Sequence, residues 1–243
     1  MISKNIGDCG EYAPEFGFFN EDCMEGMKRY PDNFFDLAIV DPPYGSGVEL
    51  SDNLGGGNVE SVRRSVRQVQ RTGGTWAEKY AKKIVAWDVA PPEEYFEELF
   101  RVSRNQIIWG GNYFRLPPTR CFLIWRKLSI SEGFSMAMAE YGWTSFNENA
   151  KVFECAPQDS TGTRFHPTQK PVALYKWILN KYAKEGDIIL DTHVGSASSL
   201  IACHETGHKF VGFEIDPVYY EKAKKRLDAE MAQTTIFDFL KGE

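Results

Sequence analysis

Long apolar runs are missing from this chain. No stretch approaches the roughly 18 consecutive apolar residues that a membrane-spanning helix requires. The N-terminus also lacks the charged segment followed by an apolar one that marks a secretory signal. A membrane span is therefore not expected, and the default address is cytoplasmic. Cysteine is sparse: the five residues Cys9, Cys23, Cys121, Cys155 and Cys203 form no CxxC pair and are odd in number. Reduced thiols fit this better than a disulfide frame or a cysteine-based metal cluster. Positive charge is in short supply too, with 28 Lys and Arg against 34 Asp and Glu and a net charge of -6. The whole-molecule field gives no reason to bind a polyanion, so any such case must rest on local charge. Internal repeats and low-complexity tails are absent as well.

What the chain does have is length and punctuation. Its 243 residues suffice for one large α/β domain, read here as 1–243 with an insertion at about 45–90. The most informative segment is Asp41-Pro42-Pro43-Tyr44, which follows the apolar run Leu37-Ala38-Ile39-Val40 and so lies at the carboxyl end of an expected strand. Ligands of open α/β sheets bind at such ends. Two consecutive prolines fix φ and remove two N–H donors, so the turn offers a carboxylate, outward carbonyl oxygens and an aromatic ring in a stiff arrangement. Such a pocket suits a planar group carrying an NH2, as an exposed nucleobase does.

Further elements follow from periodicity. Phe16 to Asn20 reads as a short strand and Cys23 to Tyr30 as a short helix. After the turn, the Gly, Ser and Asn of 45–58 build no core. From Ser61 to Lys83 seven basic residues, Arg63, Arg64, Arg67, Arg71, Lys79, Lys82 and Lys83, face one acid, Glu78. On a helix Arg63, Arg67 and Arg71 share a face, which makes this segment the candidate nucleic-acid contact. Pro91 to Ser103 has a helical period and feeds the strand Ile107-Ile108-Trp109; strand 121–125 is expected to find a hairpin partner around 151–155. Helix 171–183 precedes a strand, loop, helix, strand unit from Ile188 to Asp216, a βαβ crossover.

Within that unit Asp191-Thr-His-Val-Gly195-Ser-Ala-Ser opens the helix, and Glu214 ends the second strand. A glycine there admits a ligand to the backbone, and the carboxylate can accept both hydroxyls of a ribose. Because Ala197 and Ser198 break the GxGxxG pattern, a nucleoside without pyrophosphate is the better ligand. His204-Glu205-Thr206-Gly207-His208 matches HExxH, but Gly207 reads as a helix exit, so no metal is expected.

Together, Asp41-Pro42-Pro43-Tyr44, the Asp191 to Ser196 loop and Glu214 resemble the amino-methyltransferases of DNA. The order of the motifs, with the catalytic turn first, resembles the circularly permuted β group, and His166-Pro167-Thr168-Gln169-Lys170-Pro171 is similar to that group's additional cofactor motif. Ile189-Leu-Asp-Thr-His-Val-Gly-Ser is similar to enzymes of phages and prophages. The resemblance implies a doubly wound, mostly parallel seven-stranded sheet and S-adenosylmethionine as cofactor. It implies that Asp41, Pro42, Pro43 and Tyr44 hold the target. It further implies that Asp22, Cys23, Asp41, Lys170, Asp191, His193, Gly195, Ser196, Glu214 and Ile215 surround the cofactor, with Asp22 at its adenine, Glu214 at its ribose and Lys170 at its carboxylate end. His193 replaces the family's usual phenylalanine. Only residues 156–165 lie between Cys155 and His166, where many relatives have a long insertion, so 58–86 and 126–147 are the remaining candidates for reading DNA.

The lead expectation is methyl transfer to adenine N6 in DNA, since Asp as first residue of the turn resembles adenine enzymes. Cytosine N4 is the alternative on the same fold. No Pro-Cys-Gln occurs, which disfavours ring-carbon chemistry. A catalytically poor DNA- or cofactor-binding protein and a methyltransferase for a protein or RNA amine are the rivals of other classes. A homodimer is compatible with the sequence, and a restriction partner leaves no mark in it.

Overall fold

The structure is a computed structural model and describes residues 15–45, 89–132, 137–157, 165–166 and 168–233. Among these, eight strands form one sheet: β1 (Gly17–Phe19), β2 (Phe35–Val40), β3 (Ser103–Trp109), β4 (Phe122–Lys127), β5 (Ala139–Thr144), β6 (Lys151–Cys155), β7 (Ile188–Asp191) and β8 (Lys209–Phe213). The helices are α1 (Cys23–Met27), α2 (Glu93–Val102), α3 (Val172–Tyr182), α4 (Ser198–Glu205) and α5 (Pro217–Met231). Sheet order is β1-β8-β7-β2-β3-β5-β4-β6.

The central strands are apolar on both sides because both faces are covered. In β2, Ala38 and Val40 pack with Tyr95, Phe96 and Leu99 of α2 and with Met27 of α1. Their neighbours Leu37 and Ile39 pack oppositely, with Leu174 and Ile178 of α3 and Ala202 and Cys203 of α4. Alternation of period two thus splits one strand between two cores, each fully buried Leu or Ile contributing about 1.5–3 kcal/mol.

Two expectations need correcting. The sheet has eight strands, not seven; it is mostly parallel, with β5 alone running antiparallel to both its neighbours, β3 and β4. The hairpin partner of β4 is therefore β5, and residues 151–155 pair with β4 in parallel as β6. Ala139–Thr144 hid itself because Glu140 and Gly142 interrupt its apolar pattern. A Cβ at Gly142 would stand a tight 3.3 Å from the ring of Trp109. The βαβ unit behaves as read, with β7 beside β8 in parallel register and α4 between them in sequence. The basic segment with Arg63, Arg64, Arg67 and Arg71 lies outside the described residues. Among the described residues, no helix is long and apolar enough to cross a membrane.

Candidate active site

The strand order places four loops side by side at the carboxyl edge of the sheet. Parallel pairing of β1, β8, β7 and β2 puts Asp22 after the first, Glu214 after the second, the Asp191 loop after the third and Asp41 after the fourth. Asn20 ties the first two loops together, its side-chain amide donating to the carbonyl of Glu214 at 2.7 Å.

The Asp191 loop is held from within. The Asp191 carboxylate accepts the Ser199 hydroxyl and the His193 N–H, the latter at 3.0 Å. Burial, with the carboxylates of Asp41 and Glu214 adding to it, pushes the Asp191 acid up to about 7, against the pull of those hydrogen bonds. Glu214 caps the same loop from the next strand: one oxygen accepts the Gly195 N–H at 2.9 Å and the other the Asp216 N–H at 2.9 Å. Gly195 has φ +56°, and the space above it is taken by the His166 ring, 3.3 Å from where a Cβ would stand. Ser196 is buried, and the Arg226 guanidinium of α5 donates to its carbonyl at 2.9 Å.

His193 sits under α2. Its Nδ1 is 2.9 Å from the Thr192 hydroxyl, which is 2.6 Å from the Tyr95 hydroxyl. Burial lowers its pKa to about 4, so the imidazole is neutral at physiological pH. Asp22 is exposed and caps α1, accepting the Met24 N–H at 2.7 Å. Cys23 begins that helix, its thiol pushed up to about 12 chiefly by burial. Ile215 is exposed beside Glu214.

At the end of β2, Pro42 is buried and the Asp41 carboxylate is engaged on both oxygens. Tyr44 donates its hydroxyl to Oδ1 at 2.7 Å, and Lys170 donates to Oδ2. Burial and the nearby Asp41 and Glu140 carboxylates hold the Tyr44 phenol well above its ordinary range, so it remains a donor. The Tyr44 ring is stacked on Tyr113 with centroids 4.9 Å apart and planes at 16°. On its other contact lies Gly110, φ +67°, with no room for a Cβ. A carboxylate has about four lone-pair sites, so Asp41 can still accept an N–H beyond the two donors it holds.

Comparison with known proteins identifies the family. A family model described as DNA methylase matches residues 124–225. The type II methyltransferase M.HpaI of Haemophilus parainfluenzae is 45% identical over 231 residues, covering 85% of this chain and 72% of that protein. The chain belongs to the N6/N4 DNA methylase family. The putative methylase YubD of Escherichia coli is 22% identical over 231 residues, covering 87% of the chain and 90% of its own length. Two solved structures share the fold: the M1.HpyAVI–SAM complex, with TM-score 0.51, 19% identity and coverage of 87% and 98%, and PvuII DNA methyltransferase (cytosine-N4-specific), with TM-score 0.52, 13% identity and coverage of 93% of each chain.

In this DNA methylase the structure gathers Asp41, Tyr44 and Lys170 into one cluster and Asp191, His193, Gly195 and Glu214 into an adjacent one. It also brings in residues that sequence reasoning did not single out as site residues. Glu140 of β5 lies 3.1 Å from the Lys170 ammonium, Tyr113 covers Tyr44, and Tyr95 orients Thr192. Glu140 carried a signal of its own, an acid in the middle of a segment otherwise built to be buried. The HExxH histidines bracket a helix end, since α4 stops at Glu205 and Gly207 turns out at φ +75°.

Proposed function

We propose that this DNA methylase transfers a methyl group from S-adenosylmethionine to the exocyclic N6 amine of adenine in DNA. The observation that carries the reading is the Asp41 carboxylate, stiffened by Pro42 and Pro43 and standing beside the loop that opens at Asp191. The donor set fits the cofactor. Asp191, Glu214 and Asp41 bring three carboxylates to one edge, and burial and mutual repulsion raise Asp191, so a cationic ligand with two hydroxyls and an ammonium group relieves the crowding. Lys170, the cation that reaches this cluster, is engaged by acids of the protein. When bound, S-adenosylmethionine supplies a methyl group activated by its positive sulfur.

The protein supplies position. An exocyclic amine is a poor nucleophile because its lone pair is delocalised into the ring. Asp41 and the Pro42 carbonyl each accept one N–H, drawing the nitrogen toward a tetrahedral shape with its lone pair free. Alignment of this kind is worth about 7–11 kcal/mol at best. Extruding the base from a duplex costs a few kcal/mol, and stacking on the Tyr44 and Tyr113 pair returns about 1–3 kcal/mol. Glu214 takes the ribose, the Asp191 loop with Gly195 and Ser196 the methionine part, and Asp22 with Cys23 and Ile215 the adenine of the cofactor. Arg63, Arg64, Arg67 and Arg71 are proposed to contact phosphates.

Adenine is preferred over cytosine because the turn begins with Asp, as in the adenine enzymes it resembles. The test is nucleoside analysis by mass spectrometry after incubation with S-adenosylmethionine and unmethylated DNA. N6-methyladenine is expected. N4-methylcytosine would replace the target while keeping the site, and absence of any methylated nucleoside would overturn the reading.

A further inference from the structure

A file of alternating charges runs inward from the catalytic turn. Lys170 donates to Asp41 Oδ2, its ammonium lies 3.1 Å from Glu140 Oε2, and Glu140 Oε1 lies 2.5 Å from the Lys127 ammonium. These groups come from four places: the end of β2, the segment before α3, β5 and β4. Both lysines are buried, Lys170 to 3% exposure and Lys127 to 7%. Such a file is costly to desolvate and is weak evidence for stability, since apolar residues of similar volume often serve as well or better. Its geometry therefore needs another account.

Lys170 is surrounded by acids and aromatic rings of the protein. An ammonium has three N–H bonds. Asp41 accepts one of them, the Tyr44 oxygen stands 3.5 Å away, and Glu140 Oε2 lies 3.1 Å off as an ion pair outside hydrogen-bond geometry. The Trp109 ring centroid lies 5.5 Å from the same nitrogen, placing the ammonium over an aromatic face within cation–π range. Burial alone would lower the pKa of Lys170, but the two carboxylates more than offset it and hold the group charged. Two carboxylates of the protein already counter its charge, whereas resemblance to relatives implies a place for this lysine at the cofactor's carboxylate end.

We propose that Lys170 is a positioning residue that fixes the Asp41 carboxylate for the target amine, and that Glu140, anchored by Lys127, fixes Lys170. The proposal rests on the reading of Asp41 as acceptor of the target's N–H. It gives the antiparallel strand β5 a purpose: inserted between β3 and β4, it is the element that carries Glu140 to the back of the lysine. With Tyr44 on Oδ1 and Lys170 on Oδ2, rotation of the carboxylate is stopped from both sides, and the remaining lone pairs keep one direction.

The test uses the full chain, tritiated S-adenosylmethionine and unmethylated amplified genomic DNA of mixed sequence, with single-turnover rates at saturating cofactor and cofactor affinity by calorimetry. Lys170→Met is expected to slow methyl transfer at least 100-fold while the cofactor Kd stays within threefold. Glu140→Gln is expected to slow transfer about tenfold, again with unchanged Kd. Because Glu140 acts through Lys170, the double variant should be no slower than Lys170→Met alone. Lys170→Arg, which keeps the charge, should recover at least tenfold over Lys170→Met. Should Lys170→Met fail to fold, Lys170→Arg and Glu140→Gln still carry the test by their split between rate and affinity. A Kd weakened tenfold or more with a normal rate at saturation, a wild-type rate in Glu140→Gln, or losses that multiply in the double variant would each overturn the proposal alone. A wild-type chain that transfers no methyl group overturns both this proposal and the function it rests on.

Discussion

Gly110→Ala should cripple catalysis far more than it unfolds the protein. Gly110 follows β3 with φ +67° and ψ 18°, donates its N–H to the Tyr141 carbonyl at 2.8 Å and accepts from the Tyr113 N–H at 2.8 Å. These bonds on either side leave its backbone little freedom to shift. A side chain in this left-handed conformation costs about 1–2 kcal/mol. The new Cβ would also overlap Tyr44 Cε1 and stand 2.6 Å from Cδ1 and Cζ, so a ring held by Asp41 and Tyr113 must retreat by more than about 1 Å to reach ordinary carbon contact. Overpacking of that kind adds about 1–3 kcal/mol. The sum, about 2–5 kcal/mol, lies within the stability of an ordinary domain and corresponds to a fall in Tm of about 4–20 °C at this chain length. The catalytic effect is larger because the displaced ring carries the hydroxyl that holds Asp41. A misplacement of about 1 Å at a reacting centre costs about 100-fold. Cofactor affinity should be within threefold of wild type, since the Asp191 loop stands on a different strand. Thermal melts, cofactor calorimetry and single-turnover methylation read the three quantities. A folded Gly110→Ala protein that methylates DNA within threefold of the wild-type rate refutes the assignment of Tyr44 and Asp41 as one rigid unit.

Four further outcomes are expected. Asp41→Ala should abolish methylation and leave cofactor Kd within a few fold; retained turnover would remove Asp41 from the chemistry. Glu214→Ala should weaken cofactor binding at least tenfold, because the ribose loses its acceptor and the Gly195 and Asp216 N–H groups lose a charged one, each such bond being worth about 1.5–3 kcal/mol; an unchanged Kd in calorimetry would contradict the site. In the cofactor-free protein, Asp191, pushed up to about 7 by burial, keeps a proton that the unfolded chain releases near pH 4, so stability should fall as pH rises from about 4 to 7, by up to about 1.4 kcal/mol per unit. Denaturant titrations should show that slope reduced in Asp191→Asn, and equal slopes in the two proteins would place the proton elsewhere. Replacing Arg63, Arg67 and Arg71 by Gln should weaken DNA binding and reduce the log–log salt slope by about 0.9 per lost phosphate contact, without changing cofactor affinity; a wild-type slope would show a solvated face.

The sequence by itself determined whatever is encoded within a few residues. The Asp41 turn is legible because an apolar run followed by two prolines can only end a strand stiffly. The unit from β7 through α4 to β8 is legible because its period changes from two to helical and back, and because Gly207 and the Asp216 cap punctuate it. Asp22 also acts locally, capping α1 through the Met24 N–H. The tertiary structure alone decided which strands lie side by side, and with that the row of four loops. It decided that Ala139–Thr144 enters the sheet between β3 and β4, where Gly142 leaves room for the Trp109 ring. It also decided the partner of Lys170: that lysine is 129 positions from Asp41 and 30 from Glu140 in the chain. An ion pair across such a separation leaves no periodic or local signature, because it is set by how two elements pack and not by what either would do alone.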